Sequence, residues 1–478
     1  MTEPANNIKE YLIKHFGQKF LNSYMDFISA TSLPYLRISK NNKSENDLII
    51  SLSKYGIELE KVKNIPNAYK ILKGQKNAGK TIEFALGKYY IQSLSSMIPP
   101  LVLNPSSGEK VFDCCAAPGS KTTQLADLMN TGGTLIANEP SIPRVKALAY
   151  NVDKLLSVNV GISKIKGELI SKYSDHFFDK ILVDAPCSAL GILQKKGEVS
   201  NWWNVEHVER IASLQIKLLV SAIKALKTGG ELVYSTCTLT LEENELIINK
   251  ILEKYPVELM EIELPVKSVN GFTKYNGIKL NEQLYKSRRI IPWEINSEGF
   301  FIAKLKKTGR TVPLEKFTFK HRGLKLLLPH KNPVSKYLKK LIDYYKIDPN
   351  VFENYKFLLK KNEMFIVDKN WDSPLLDLLI RVGIPFAYIG KNDEIKLHSH
   401  GAQLLSNKIN ANIVNLEDED QLKKYFEGGI FNYNSSRSGQ KIITYKNLTL
   451  GTGILFDKKI KSQFPRSKRT HDIIFPSN

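Results

Sequence analysis

Between residues 110 and 237, short apolar runs alternate with amphipathic stretches. The runs are KVFDCC, GTLIANE, DKILVDAP and GELVYSTC, and the stretches between them include KTTQLADLM and ERIASLQIKLLVSAIKAL. In the last of these, Ile211, Leu214, Leu218 and Ala222 fall on one helical stripe, and Gly229-Gly230 is expected to end it. Strand and helix in alternation predict an α/β core, a parallel sheet covered by helices on both faces, with ligands gathering where its strands end. The first stretch predicts a smaller α/β unit. PYLRIS reads as a strand, and Ser44 is placed to cap a helix, ENDLIISLSKYG, whose Leu48, Ile49, Leu52 and Tyr55 share a face before Gly56 stops it. The polar segment KGQKNAGKT then reads as a linker, and no internal repeat or long low-complexity tract follows.

A chain of 478 residues is too long for one compact core, so two to four domains are expected. With 42% hydrophobic and 24% charged residues, wholesale disorder is excluded. No apolar run is long enough to cross a bilayer, and the start, MTEPANNIKEYLIKHFG, lacks the basic end and apolar stretch of a secretion signal, so a cytoplasmic protein is expected. Four cysteines, Cys114, Cys115, Cys187 and Cys237, are too few for a disulfide framework, and their spacing argues against structural zinc. Each thiol needs its own explanation. The formal net charge of +21 attracts polyanions, although a lysine-rich composition can also serve solubility alone. Basic residues recur with aromatics in KFTFKHRGLK, VSKYLKKLIDYYK, YKFLLKK and KKIKSQFPRSKRTH, which puts cations and candidate stacking rings in the same segments and favours nucleic acid.

Each predicted strand of the central section ends in something chemically pointed. After VFD comes CCAAPGSK, a loop whose small residues let the backbone approach a ligand and whose following helix offers free N–H groups. The next strand ends on Glu139, suited to accept hydrogen bonds from ribose hydroxyls. The loop is neither GxxxxGK[ST] nor a clean GxGxxG, so ATP and NAD fit poorly and S-adenosylmethionine fits well. ILVDAPCSALG then sets Cys187 just past a strand, behind Pro186 and near Asp184.

Taken in order, FDCCAAPGSKTTQLA, ILVDAPCSALGIL and LVYSTCTLTLEENE resemble the signature blocks of the RNA cytosine-C5 methyltransferases, the NOL1/NOP2/Sun family. YYIQSLSSMIPP, SNWW and EGFFIAKLKK are similar to further segments of that family, and the resemblance covers roughly residues 30–307. The tail segments IPFAYIGKNDEIKLHSHGAQLL and IKSQFPR are similar to the extension of the bacterial small-subunit rRNA methyltransferase F subfamily, which ends in a PUA-like RNA-binding module. The resemblance implies a Rossmann-like class I methyltransferase core with a small N-terminal α/β domain and a C-terminal α+β, PUA-like extension. It divides the chain into an N-terminal RNA-binding unit (1–75), a methyltransferase domain (76–308), an intermediate domain (309–390) and a PUA-like domain (391–478). The implied reaction is methylation of cytosine C5 in RNA, with 16S rRNA preferred and tRNA the alternative, through a covalent Cys–C6 intermediate. The implied partners are RNA and a ribosomal subunit assembly intermediate, for a monomer that uses S-adenosylmethionine and neither metal nor membrane.

Roles carry over by matching position. Cys237 in STCT matches the attacking nucleophile, Cys187 in APCS the residue that promotes product release, and Asp184 the acid that pairs with N3 and the amino group of cytosine. Cys115, Ala116, Ala117, Pro118, Gly119, Ser120 and Lys121 match the cofactor loop, Glu139 the ribose acid, and Asp184 also an acid near the methionine end. The attacking thiol must ionise, so Cys237 is expected near the cofactor's sulfonium or a basic neighbour. For Cys114 the expected role is packing, and for Cys115 a backbone role in the loop. SKIKGELI departs from the pattern, with Lys166 where an acid usually contacts adenine; lysine accepts no hydrogen bond, which leaves Glu168 or the main chain. Ser93 stands where an acid is common. Because the reaction needs a base out of its stack, Trp202, Trp203 and Tyr89 are candidates to stack on it, with core packing as the alternative, favoured for Tyr89 and Tyr90. An RNA-binding assembly factor with an inactive cofactor fold is one competing class; a methyltransferase acting on an amine is another, but its sites usually carry an NPPY-like loop and no thiol.

Overall fold

The computed structural model describes residues 4–476 apart from 43, 131, 196, 313, 314, 316, 320 and 436. Two helices open the chain, α1 (Asn6–Phe16) and α2 (Gln18–Ser29). Their apolar faces, through Ile8, Leu12, Tyr24 and Phe27, pack on Leu190, Leu193, Trp203 and Leu239 of the central section. A four-stranded antiparallel sheet follows in the order β2-β3-β1-β4, built from β1 (Tyr35–Ile38), β2 (Glu58–Lys61), β3 (Ala68–Lys73) and β4 (Tyr89–Ile91), with α3 (Glu45–Ser53) and the short α4 (Ile82–Ala85) between strands. Ser44 caps α3 as the sequence predicts, its Oγ accepting the Asp47 N–H at 3.2 Å. The linker expected at KGQKNAGKT is corrected: Ala78 and Thr81 are buried, held by the Tyr89 hydroxyl at 2.5 Å from the Ala78 carbonyl and 2.8 Å from Thr81 Oγ1. Since β4 completes the sheet, this unit runs through residue 91 rather than ending at 75. Arg37 on β1 is buried and pairs with Asp127, while also donating to Thr123 Oγ1 at 3.0 Å, which fixes the unit to the central section.

The central sheet contains β5 (Lys110–Asp113), β6 (Thr134–Asn138), β7 (Val160–Ser163), β8 (Phe178–Asp184) and β9 (Leu226–Thr236), parallel in the order β9-β8-β5-β6-β7. Strand Phe300–Lys307 continues it antiparallel to β9. Helices α5 (Leu94–Leu103), α6 (Ser120–Leu128), α7 (Ile142–Lys154) and the long Val205–Ala225 surround it. Every residue of β6 and β7 is buried, as strands covered on both faces require. The predicted stripe on the long helix holds at Leu218 and Ala222, which are buried, but not at Leu214, which is 37% exposed, while Val208 and Gln215 join the inward face. The helix ends at Ala225, so Gly229-Gly230 lie inside β9 rather than capping it.

Beyond residue 308, the first five-stranded sheet runs from Leu326–Leu327 to Ile395–Leu397, with helix Val334–Tyr345 beside it. The second comprises Ile413–Asn415, Ile430–Asn432, Gly439–Tyr445, Leu448–Phe456 and Lys459–Ser462. Strand Arg381–Val382, expected within a separate intermediate domain, instead pairs antiparallel with β7 and extends the central sheet. The expected boundary after residue 390 also shifts, because Ile395–Leu397 belongs to the first sheet. In the basic segments some rings reach the surface with the cations, Phe317 and Tyr344 among them, but others do not. Tyr337, Tyr345, Phe357 and Phe464 are buried while Lys336, Lys339 and Lys340 are exposed, because a ring at helical or strand spacing is worth more in the core than in water. Lys316 and Lys320 of these segments lie outside the described residues.

Packing near the strand ends relies on one buried ion pair. Arg289 and Glu245 are both 2% exposed or less and pair through two nitrogens, with Arg289 Nε 2.6 Å from Glu245 Oε1, while a third nitrogen donates to the Leu239 carbonyl at 2.8 Å. Removing one partner strands a buried charge, so Arg289→Ala is expected to lower stability by about 3–5 kcal/mol in chemical denaturation. Wild-type stability in that variant would contradict the assignment.

Candidate active site

The chain leaves β5 toward β6 and β7 on one side, then returns to build β8 and β9 on the other. Loops after β5 and β8 therefore diverge and leave a crevice at their carboxyl ends. On one side of the crevice lies the loop of small residues. Cys114 is buried, and Cys115 is half-buried, its thiol pushed well up by the bond to Cys114 and by burial. The Ala116 N–H donates to the Asn138 carbonyl, Arg144 donates to the Ala117 carbonyl and Asn151 Nδ2 to the Pro118 carbonyl, each at 2.9 Å. Gly119 sits at φ +111°, and a Cβ there would approach Leu148 Cδ1 to 3.1 Å, so glycine is needed before Ser120 opens α6.

Glu139, at the end of β6, is 1% exposed; it accepts the Ser141 N–H at 2.9 Å and pairs with Arg144 at 3.1 Å. Asp113, ending β5, is buried with Thr122 Oγ1 donating to one oxygen at 2.6 Å. Its other oxygen has no hydrogen-bond partner among the described residues, and burial raises its carboxyl to about 7. A close-approach loop, a buried acid at the second strand end and an unsatisfied carboxylate oxygen between them suit a polar nucleoside ligand. Lys166 is exposed and Glu168 half-buried on the turn beyond β7.

On the other side, β8 ends in Asp184 and β9 in Thr236, and the following loops bring Cys187 Sγ and Cys237 Sγ to 3.2 Å. Hydrogen bonding to Cys237 and burial push the Cys187 thiol well up. Asp184 is held from both oxygens, by Ser235 Oγ at 2.8 Å and by Lys121 Nζ at 2.8 Å. Lys121 is buried and also donates to Ser96 Oγ at 2.9 Å. Burial opposes its charge, yet Asp184, then Cys237 and Glu298, hold it above the usual lysine value. Lys121 thus reaches from the cofactor loop to the Asp184 side of the crevice. Gly191, which sequence reasoning missed, lets the two cysteine loops touch: its N–H donates to the Cys237 carbonyl at 2.9 Å, and a Cβ there would come within 2.7 Å of that oxygen. Ser93, where an acid is common, donates instead to Glu298 at 2.7 Å, so an acid from the opposite segment stands beside it. Of the candidate stacking rings, Trp203 and Tyr89 are core residues, whereas Trp202 is 39% exposed beside His207.

Among the described residues no three His, Cys, Asp or Glu side chains gather to hold a metal, and no helix is long and apolar enough to cross a membrane. Residues 100–306 match the family described as 16S rRNA methyltransferase RsmB/F. The chain is similar to a 26S rRNA (cytosine-C(5))-methyltransferase, nsun-1, of Caenorhabditis elegans, 33% identical over 62% of this chain but only 46% of that protein. It is also similar to a methyltransferase homolog from Pyrococcus horikoshii of known crystal structure, with TM-score 0.56 and 31% identity over 62% of this chain and 93% of that one. Ribosomal RNA small subunit methyltransferase F of Vibrio atlanticus is 30% identical over 96% of this chain and 97% of its own length. A likeness that runs through both terminal units as well as the cleft, joined to the family match over the central sheet, means that the chain belongs to the RsmB/F family of 16S rRNA methyltransferases.

Proposed function

We propose that this protein methylates C5 of a cytosine in small-subunit ribosomal RNA, using S-adenosylmethionine and a covalent bond from Cys237 to C6. The observation that carries the proposal is the 3.2 Å contact between the sulfurs of Cys187 and Cys237 beside the Lys121–Asp184 pair. Residues 115–121, Glu139 and Asp184 hold the cofactor, which when bound supplies the methyl group as a sulfonium-activated electrophile. C5 of cytosine is a weak nucleophile, so the ring needs activation first. The Cys237 thiolate bonds to C6, and the former C5=C6 pair raises electron density at C5. Lys121, buried and paired with Asp184, supplies positive charge to this side of the crevice. Asp184 engages the N3 and amino edge, where a shared proton draws density from C6. After methylation, Cys187 promotes release: the C5 proton passes to water, its bonding pair restores C5=C6, and the Cys237–C6 bond breaks to return the thiolate.

The N-terminal unit and the C-terminal sheets, the last of them in a PUA-like role, hold the RNA backbone and set register while the pocket takes the base. The surplus of 69 basic over 48 acidic residues supports this. Trp202, an exposed ring, stacks on the unpaired base, and the substrate is rRNA, free or in a subunit being assembled in the cytoplasm. Bisulfite sequencing of RNA from cells with and without the protein tests the proposal. One small-subunit rRNA cytosine should lose its protection when the protein is removed; unchanged rRNA would reject the assignment.

A further inference from the structure

The sulfurs of Cys187 and Cys237 ride on separate loops after separate strands, so their 3.2 Å contact requires something that ties the loops together. The side chain of Glu243 does this. It is 0% exposed and lies beyond Cys237 in LEENE. One carboxylate oxygen accepts the Ser188 N–H at 2.8 Å and Gln215 Nε2 at 3.0 Å, and the other accepts Thr240 Oγ1 at 2.7 Å. Gln215 Nε2 also donates to the Pro186 carbonyl at 2.8 Å, so the residues on both sides of Cys187 are gripped. Across the seam, Ser188 Oγ lies 2.9 Å from Thr238 Oγ1, and the Tyr234 hydroxyl donates to the Glu243 carbonyl at 2.6 Å. A buried carboxylate is costly unless several donors satisfy it, and here those donors come from three different segments.

We infer that Glu243 is a positioning residue for the cysteine pair, clamping the loop of Cys187 onto the loop of Cys237 so that the release step follows methyl transfer. The inference rests on the methyltransferase function proposed above. Burial raises the carboxyl of Glu243 against the pull of its donors, and its negative charge adds to the hydrogen bond and burial that keep Cys187 a thiol. The clamp touches neither the cofactor loop nor Glu139, so it acts on release and not on cofactor affinity.

The test compares full-length wild type, Glu243→Ala and Glu243→Gln on in vitro transcribed small-subunit rRNA with labelled S-adenosylmethionine. Turnover, cofactor dissociation constant and protein–RNA adduct on denaturing gels are the three readouts. Glu243→Ala should lower turnover by about tenfold or more, as displacing a reacting group by an ångström does, while adduct accumulates and cofactor affinity stays within about twofold. Glu243→Gln keeps an oxygen for the Ser188 N–H and should recover most of the turnover. Wild-type turnover without adduct in Glu243→Ala would overturn the clamp. So would a loss of turnover matched by lost cofactor affinity with no adduct, the signature of general structural damage. If Glu243→Ala does not fold, Gln215→Leu, which frees the Pro186 carbonyl, carries the same comparison: adduct supports the clamp and wild-type behaviour overturns it. Wild-type protein inactive on all RNA would instead reject the methyltransferase function itself, so the two failures are separable.

Discussion

Cys237→Ala is expected to abolish methyl transfer, by at least about 10³-fold, and to leave no covalent RNA complex. The size of the effect follows from the chemistry: without a sulfur on C6, C5 remains an unactivated aromatic carbon facing an electrophile it does not attack. The site offers no substitute. Cys187, the nearest sulfur at 3.2 Å, is held as a thiol by its bond to Cys237 and by burial. Losing Cys237 removes one of its protecting interactions, but leaves it on the other loop. The fold should survive, since the main-chain contact from the Gly191 N–H to the residue 237 carbonyl does not depend on the side chain. Cofactor binding by residues 115–121 and Glu139 should therefore persist, and equilibrium dialysis with labelled S-adenosylmethionine checks that. Methylation retained at more than a few per cent of wild type would refute the role.

The second large effect is of opposite character. Cys187→Ala is expected to form the bond to RNA and fail to resolve it, so a protein–RNA complex accumulates while multiple turnover falls by about 10²-fold or more. Attack needs only the Cys237 sulfur, the Lys121 charge and a base gripped by Asp184, all of which this variant retains. Release needs a group beside the Cys237–C6 bond that participates in losing the C5 proton, and Cys187 is the side chain 3.2 Å from that sulfur. Denaturing gels after incubation with labelled rRNA and S-adenosylmethionine should show a slow band, abolished by the added Cys237→Ala change. Normal turnover with no such band would mean that the two cysteines do not divide the work in this way.

Much of this was legible in the chain itself, and where it was not, tertiary contact overrode local pattern. The strands and their loops could be read because apolar runs ending in small or acidic residues are local signals: β5 into CCAAPGS, β8 into DAPCS. On the long helix Leu218 and Ala222 face inward as their spacing predicts, but Gln215, a polar residue, takes the inward place expected of Leu214 because it holds Pro186 and Glu243. KGQKNAGKT resembled a linker in composition, yet Tyr89, many residues later, buries Ala78 and Thr81. Rings beside lysines in the last third suggested a stacking surface, but Tyr337 and Tyr345 fall on the inward face of their helix. Glu243 sits in an acidic helix start, LEENE, that resembles any solvated turn; only the meeting of three segments makes it internal. Lys121 was read as part of the cofactor loop, and its reach to Asp184 depends on how α6 enters the crevice, which spacing does not encode.

Which atom bonds to RNA decides the mechanism. The most direct measurement is mass-spectrometric mapping of the complex trapped by Cys187→Ala, after protease and nuclease digestion. A single cross-linked peptide carrying one methylated cytidine on Cys237 is expected. A nucleotide on Cys114 or Cys115, or a trapped complex with no cysteine attachment, would contradict it.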